Sequence, residues 1–337
     1  MDAAHCTSAK GDIPVTDSIH LVLIDPQNDF CDLPAGWCGS DPLSESAGGL
    51  TAGLTTGPQT AAFIGSLVDP LADPAGPTAA KLHAPALPVP GAHQDMLRIA
   101  RLIDEASERI SAITVTLDSH HRLDIAHPGF WTTRDDLPVA AFTQITAAQL
   151  RAGDYRPRDA TALARAQRYL DELEQRGRYT LMVWPVHCEI GSWGHNVHPA
   201  VKAAYNRWED QHLRVVGKLS KGSNPWTEHY SAVRAEVPDA NDPATQLNAA
   251  WLAELDRADQ IVIAGEAGSH CVRATVEDIA DHLPSQRLDK LVLLTDCMSP
   301  VGGFDAQQQT FLDNMRKRGL RLCSSADFLS AVAARRA

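Results

Sequence analysis

At 337 residues, 44% of them apolar, the chain is long enough for a sizeable core in one large domain, or in one domain with insertions. A net charge of -12, with no basic cluster among aromatics, argues against nucleic acid and anionic membrane surfaces as partners. No apolar run approaches a membrane span, no charged-then-apolar leader opens the sequence, and seven scattered cysteines suit free thiols in a reducing cytoplasm better than a disulfide framework.

Residues 1 to about 17 are polar and read as a frayed end. Ile19 to Asp25 is a compact apolar run, the pattern of a fully buried strand, and it leads straight into Pro26-Gln27-Asn28-Asp29-Phe30. Residues 31 to about 90 are rich in Gly, Ala, Pro and Thr without a period, and read as a solvated inserted loop, with a partly ordered insertion over the site as the alternative. His93–Glu108 carries apolar residues at three and four spacing and predicts a helix. Ile113–Leu117 predicts a second strand ending at Asp118, and Pro128–Arg158 an irregular stretch. A helix over Ala160–Gln175, capped by Asp159 and closed by Gly177, precedes a third strand, Tyr179–Trp184. Pro199–Trp208 reads as helix, Leu213–Lys218 as the fourth strand, Leu247–Asp256 as helix and Gln260–Ala264 as the fifth strand. Lys290–Thr295 is the sixth strand, and Leu320–Cys323 a short last one between helices at Gln307–Arg318 and Ala326–Arg336. Strands alternating with helices predict an α/β three-layer sandwich around a mostly parallel sheet of about six strands. Neither a P-loop nor a dinucleotide glycine loop is found.

After the fifth strand comes the turn Gly265-Glu-Ala-Gly-Ser-His-Cys271, then a helix-like segment from Val272 to about His282. Cys271 falls where that helix begins, at the positive end of its dipole, which favours a thiolate. Its plainer reading is a small buried hydrophobe. The other strand ends deliver Asp25, Asp118 with His120, His187 and Lys221. Each has a plain alternative as well: a turn cap, a surface cation, loop histidines. A parallel sheet binds ligands at these carboxyl ends, so their joint placement carries weight. Two chemistries fit. Cys271 can attack an amide with Asp25 as base and Lys221 stabilising both anions. Asp118, His120 and His187 suit a metal such as Zn, Fe or Mn with open positions.

In chain order, Asp25-Pro-Gln-Asn-Asp-Phe30, Asp118-Ser-His120, Trp184-Pro-Val-His-Cys188, Lys221-Gly-Ser-Asn-Pro225, Tyr230-Ser-Ala232 and Gly265-Glu-Ala-Gly-Ser-His-Cys-Val272 resemble the nicotinamidase branch of the isochorismatase-like cysteine hydrolases. The resemblance runs from about Ile19 to Leu329. It implies one hydrolase domain over 1–337, with insertions at about 31–90 and 130–180 beyond the compact family pattern. It implies an Asp25-Lys221-Cys271 triad, an oxyanion hole from the Ala267 and Cys271 amides, and a cis peptide at Glu266-Ala267. It implies metal ligands Asp118, His120 and His187, with His127 as a candidate fourth at longer spacing than the family's, and Zn as the first expectation ahead of Fe or Mn. Phe30 and Trp184 fall where the family holds its aromatic substrate. Glu266 replaces an apolar family residue and is expected beside the substrate. His195 and His198 are read as helix-cap residues in preference to supports of the site. The implied activity is hydrolysis of nicotinamide, or a close aromatic carboxamide, to the acid and ammonia through a thioester on Cys271. The alternative keeps the chemistry and changes the substrate to another amide, carbamoyl or ureido compound. The intact triad argues against a non-enzymatic binding module. A small-molecule partner and a homo-oligomer complete the expectation.

Overall fold

The computed structural model describes residues 18–38 and 83–334. The chain divides into two compact units, Met1–Asp32 with Pro85–Ala337, and Leu33–Ala84. The smaller contributes the short 3₁₀ turn Ala35–Trp37. The polar N-terminus and most of the insertion expected at 31–90 lie outside the described residues.

The larger unit is built on a six-stranded sheet in the order β10-β9-β8-β1-β2-β7. Its strands are β1 (Ile19–Ile24), β2 (Ile110–Asp118), β7 (Gly217–Lys221), β8 (Gln260–Gly265), β9 (Leu291–Leu294) and β10 (Arg321–Cys323). All five pairings are parallel. β1, β8 and β9 are buried along their whole length, which is why they read as unbroken apolar runs. From β1 the chain steps to β2 through the helix α1 (Ala92–Ala106). From β8 it steps the opposite way to β9 and β10, so right-handed crossovers place the connecting helices on opposite faces. α1 packs on α4 (Pro199–His212) and α8 (Ser325–Ala333); α6 (Cys271–His282) meets α7 (Asp305–Lys317). The order reverses between β1 and β8, and the crevice at such a switch point is where open α/β sheets bind ligands. Asp25 directly follows β1 and Cys271 follows β8, so both stand at that crevice. The backbones meet closely there: a Cβ on Gly265 (φ +122°) would lie 2.0 Å from the Ile24 carbonyl oxygen.

Three expectations change. Tyr179–Trp184 is no strand of the central sheet. Its core, β6 (Leu181–Val183), pairs antiparallel with β4 (Thr143–Ile145), because three strand residues flanked by a tight helix end satisfy their backbone locally. The expected fourth strand moves from 213–218 to Gly217–Lys221. Leu213 is spent on the left-handed C-cap of α4, and Val215 is left exposed. The stretch 128–158 is not irregular: β3 (Trp131–Thr133) pairs with β5 (Tyr155–Pro157), and α2 (Ala147–Ala152) starts on a Thr146/Gln149 capping box. With α3 (Leu163–Arg176) these ribbons enclose their own apolar cluster around Trp131, Leu150, Leu170 and Leu181. Among the described residues no helix is long and apolar enough to cross a membrane.

Candidate active site

Lys221, the last residue of β7, is 2% exposed and reaches three groups. Its Nζ lies 2.8 Å from Asp25 Oδ2, 2.9 Å from Asp118 Oδ1 and 3.6 Å from Cys271 Sγ. The triad residues named from sequence are therefore brought together around one ammonium. Asp25 has left-handed backbone (φ 42°), a conformation that a non-glycine residue holds only where its surroundings enforce it. Thr116 enforces it twice: its hydroxyl accepts from the Asp25 amide at 3.0 Å and donates to Asp25 Oδ1 at 2.5 Å. Oδ2 accepts no directed hydrogen bond, so its ion pair with Lys221 leaves it free to take a proton.

Cys271 is the first residue of α6. The sequence argument expected a thiolate there. Instead, burial pushes the thiol well up, Asp25 and Asp118 push it further, and Lys221 opposes them. Burial raises the Asp25 carboxyl as well, against Lys221. A base beside a protonated thiol thus describes the resting pair better than a standing thiolate. The Glu266-Ala267 peptide is cis. Neither the Ala267 nor the Cys271 amide donates a hydrogen bond within the described residues, so both remain available to an oxyanion.

Beside the triad is a group that could hold a metal ion. Ligating atoms of His120, His127 and His187 lie within 4.8 Å of one another, all three residues being buried. Asp118 Oδ2 lies 3.1 Å from His120 Nε2 and 3.4 Å from His187 Nε2. The Nδ1 atoms of His120 and His187 are already engaged, and His187 Nδ1 also lies 3.4 Å from His127 Nε2. His120 Nδ1 meets Asp124 Oδ2 at 3.1 Å, and His187 Nδ1 meets the Pro185 carbonyl at 2.8 Å. Such outer partners fix the tautomer and aim Nε2 inward. His127 Nδ1 is buried without a partner. Three imidazoles and a carboxylate, with an orphaned ring nitrogen among them, fit a divalent ion of the Zn, Fe or Mn type. His127 joins the cluster despite its longer spacing.

Several supporting residues were not singled out from sequence. Gln27 clamps the Asp118 backbone, accepting from its amide and donating to its carbonyl, both at 2.8 Å. Asp29 receives the Cys188 amide at 2.7 Å and the Ala86 amide at 3.0 Å, and Gly194 is open on its side because a Cβ there would meet the Asp29 carboxylate. The polar residues between Pro26 and Phe30 are thus loop anchors, and a polar run directly after a buried strand was the available signal. His198 caps α4, accepting from the Ala200 amide, as expected. His195 is not a cap, against the expectation: its Nε2 lies 2.9 Å from Ser119 Oγ, beside Asp118.

A cavity of about 20 Å³ opens over Cys271. Phe30, Trp184, Tyr230, His270 and Ala267 line it, with Trp184 Nε1 donating to the Tyr230 hydroxyl at 2.9 Å. Glu228, missed in sequence, also lines it. Burial raises its carboxyl to about 7, and Oε2 has no partner. Glu266 corrects the sequence reading. It is fully buried and does not line the cavity. Ala267 faces the cavity, whereas Glu266 extends the other way, where its Oε2 accepts from the Ser299 amide at 3.1 Å and burial, with Asp95 beside it, drives its carboxyl well up.

An acid, a lysine and a thiol thus meet at the switch point of a doubly wound sheet, next to a histidine cluster. No family model matches the chain, and no curated protein matches it by sequence. In structure the chain is similar to the yeast nicotinamidase bound to the inhibitor nicotinaldehyde, at 16% identity, over 91% of this chain and 99% of that one, with a TM-score of 0.52. It is similar to an Acinetobacter baumanii nicotinamidase/pyrazinamidase at 15% identity, over 93% and 98%, with a TM-score of 0.51. The chain therefore has the fold of these nicotinamidases, a six-stranded parallel sheet flanked by helices, as the sequence reading expected.

Proposed function

We propose that the protein is a metal-containing cysteine amidase that hydrolyses nicotinamide, or a close aromatic carboxamide, to the acid and ammonia. The observation that carries this reading is the single Lys221 ammonium shared by Asp25 and Cys271 beneath an aromatic-walled cavity. The carboxamide lies between Phe30 and Trp184 with its carbonyl carbon over Sγ, so attack becomes a positioned step. Asp25 takes the thiol proton as the S–C bond forms. The oxyanion gathers against the Ala267 and Cys271 amides, worth about 3 kcal/mol per donor in comparable sites. Asp25 returns the proton to the nitrogen, the C–N bond breaks and ammonia leaves a thioester. Asp25 then takes a proton from water, whose oxygen attacks the acyl carbon. The C–S bond breaks and the thiol recovers its proton. Lys221 stays protonated throughout: burial disfavours its charge, but Asp118 and Asp25 outweigh that and hold its pKa well up.

Asp118, His120, His187 and His127 would hold the metal, Zn by preference; once bound it supplies a Lewis acid that orients a ring nitrogen or a water. In this reading the protein is cytoplasmic and homo-oligomeric. A second substrate class, other amides or carbamoyl or ureido compounds, is kept by Glu228, whose free oxygen gives the cavity a polar contact beyond the ring walls. The test is ammonia release by zinc-loaded protein across nicotinamide, pyrazinamide, benzamide and a ureido compound. Preference for the ring carboxamides supports the first class. Release from the ureido compound alone would replace it with the second, and silence across the panel would overturn both.

A further inference from the structure

A second cavity, of about 430 Å³, lies outside the site just described. Leu123, Phe130, Pro157, Ala162 and Trp226 make its apolar walls, with Arg158 at the rim. Phe130 meets Trp226 edge to face, ring centroids 5.7 Å apart at 89°, so the two rings form a floor and a wall. Trp226 is held by the Arg165 guanidinium 4.1 Å over its ring, and Arg165 is itself paired with Asp239 at 2.7 Å. The backbone beneath is fixed: the Ile125 amide donates to the Pro225 carbonyl and the Arg158 amide to the Phe130 carbonyl. The cavity is therefore built by hydrogen-bonded turns from three parts of the chain.

Two charged residues line it, Arg158 and Asp159, and they differ in how they are engaged. Arg158 forms no ion pair within the described residues, and its guanidinium makes one long contact, 3.4 Å to the Gly129 carbonyl. The neighbouring acid, Asp159, is engaged, its Oδ1 accepting from the Thr161 amide and hydroxyl. The volume falls within the range of small-ligand sites, roughly 300–1,000 Å³. It is far larger than the cavity over Cys271. An apolar aromatic corner with one unpaired guanidinium matches a flat apolar body carrying one anionic group.

We propose that this cavity is a binding site for a small amphipathic acid, with fused or paired rings against Phe130 and Trp226 and a carboxylate on Arg158. It is independent of the hydrolase reading, because no residue of the triad or the histidine cluster lines it. The test is calorimetric titration of the full chain with 2-naphthoate, and with the uncharged 2-acetylnaphthalene for comparison. One equivalent of naphthoate should bind, and the ketone more weakly. Arg158→Gln should weaken naphthoate about tenfold, the scale of a lost charge-assisted hydrogen bond, and leave the ketone unchanged. Leu123→Asp, on an exposed wall residue, should weaken both. Binding should survive alkylation of Cys271 with iodoacetamide. Three results would overturn the proposal: equal affinity in both variants, loss of binding on alkylation, or a dimer that bars naphthoate and separates in Leu123→Asp, which would make the occupant a second copy of this chain.

Discussion

The ends of the central strands and the ribbon layer over 131–183 are held on opposite plans. At the strand ends, individual atoms hold individual atoms: Thr116 on Asp25, Gln27 on Asp118, Asp124 on His120, Asp29 on Cys188. In the ribbon layer, apolar volume does the holding, and ion pairs such as Arg134–Asp154 and Arg156–Asp136 stay at the surface, where such pairs contribute little. A core tolerates volume-conserving exchange, whereas a buried polar network does not. Damage at the strand ends should therefore appear in chemistry, and damage in the ribbons in stability.

The largest effect falls on the nucleophile. Cys271→Ala should lower turnover by about 10⁴-fold or more while leaving the melting temperature near that of the parent. Retained turnover would remove Cys271 from its role. Asp25→Asn keeps the shape and loses the base, so steady-state assays should register a drop of about 10²- to 10⁴-fold; a near-normal rate would reassign the base. The ribbon counterpart is Leu170→Ala, at a fully buried position. Denaturant unfolding should show a loss of about 2–5 kcal/mol, with turnover per folded molecule unchanged. Lost turnover at unchanged stability would break the contrast. Asp124→Asn touches neither substrate nor nucleophile, yet it orients His120. Zinc affinity, read by chelator competition, should fall about 10- to 100-fold; unaltered affinity would sever Asp124 from the cluster.

The last effect is a pH slope. His20, buried in β1 with its Nε2 2.8 Å from Thr114 Oγ1, is held down to about 4 by burial. An unfolded histidine titrates near 6.5, so between about pH 6.5 and 4 the unfolded chain binds the extra proton. The His20 contribution is complete above that window and declines as pH falls through it, by at most about 1.4 kcal/mol per pH unit. His20→Gln should flatten this slope; an unchanged slope would place the titration elsewhere.

The same contrast explains what was readable in advance. Asp25, Asp118 and Cys271 were legible because buried strands announce their ends, whereas Lys221 was found although its largely exposed strand had been placed too early. Burial and distance were not legible. That is why Cys271 was expected as a thiolate, and why Glu266, next in chain to a cavity residue, was placed in the cavity when its side chain faces Ser299. Nor did spacing settle His127, since a loop can close any gap once its turns are bonded. The ribbons were illegible for a different reason. Three-residue strands such as Leu181–Val183 are too short to show a period, and Tyr179–Trp184 matched a sheet strand equally well. Gln27 and Asp29 act through backbone partners far along the chain, which no local pattern reveals.

The most direct test is to look for the acyl group itself. Zinc-loaded protein mixed with nicotinamide, quenched in acid within a turnover and digested, should yield the Cys271 peptide carrying a nicotinoyl thioester by mass spectrometry. The adduct should be absent from Cys271→Ala and should accumulate in any variant that slows attack by water. Ammonia release without an adduct, persisting in Cys271→Ala, would contradict covalent catalysis by this thiol.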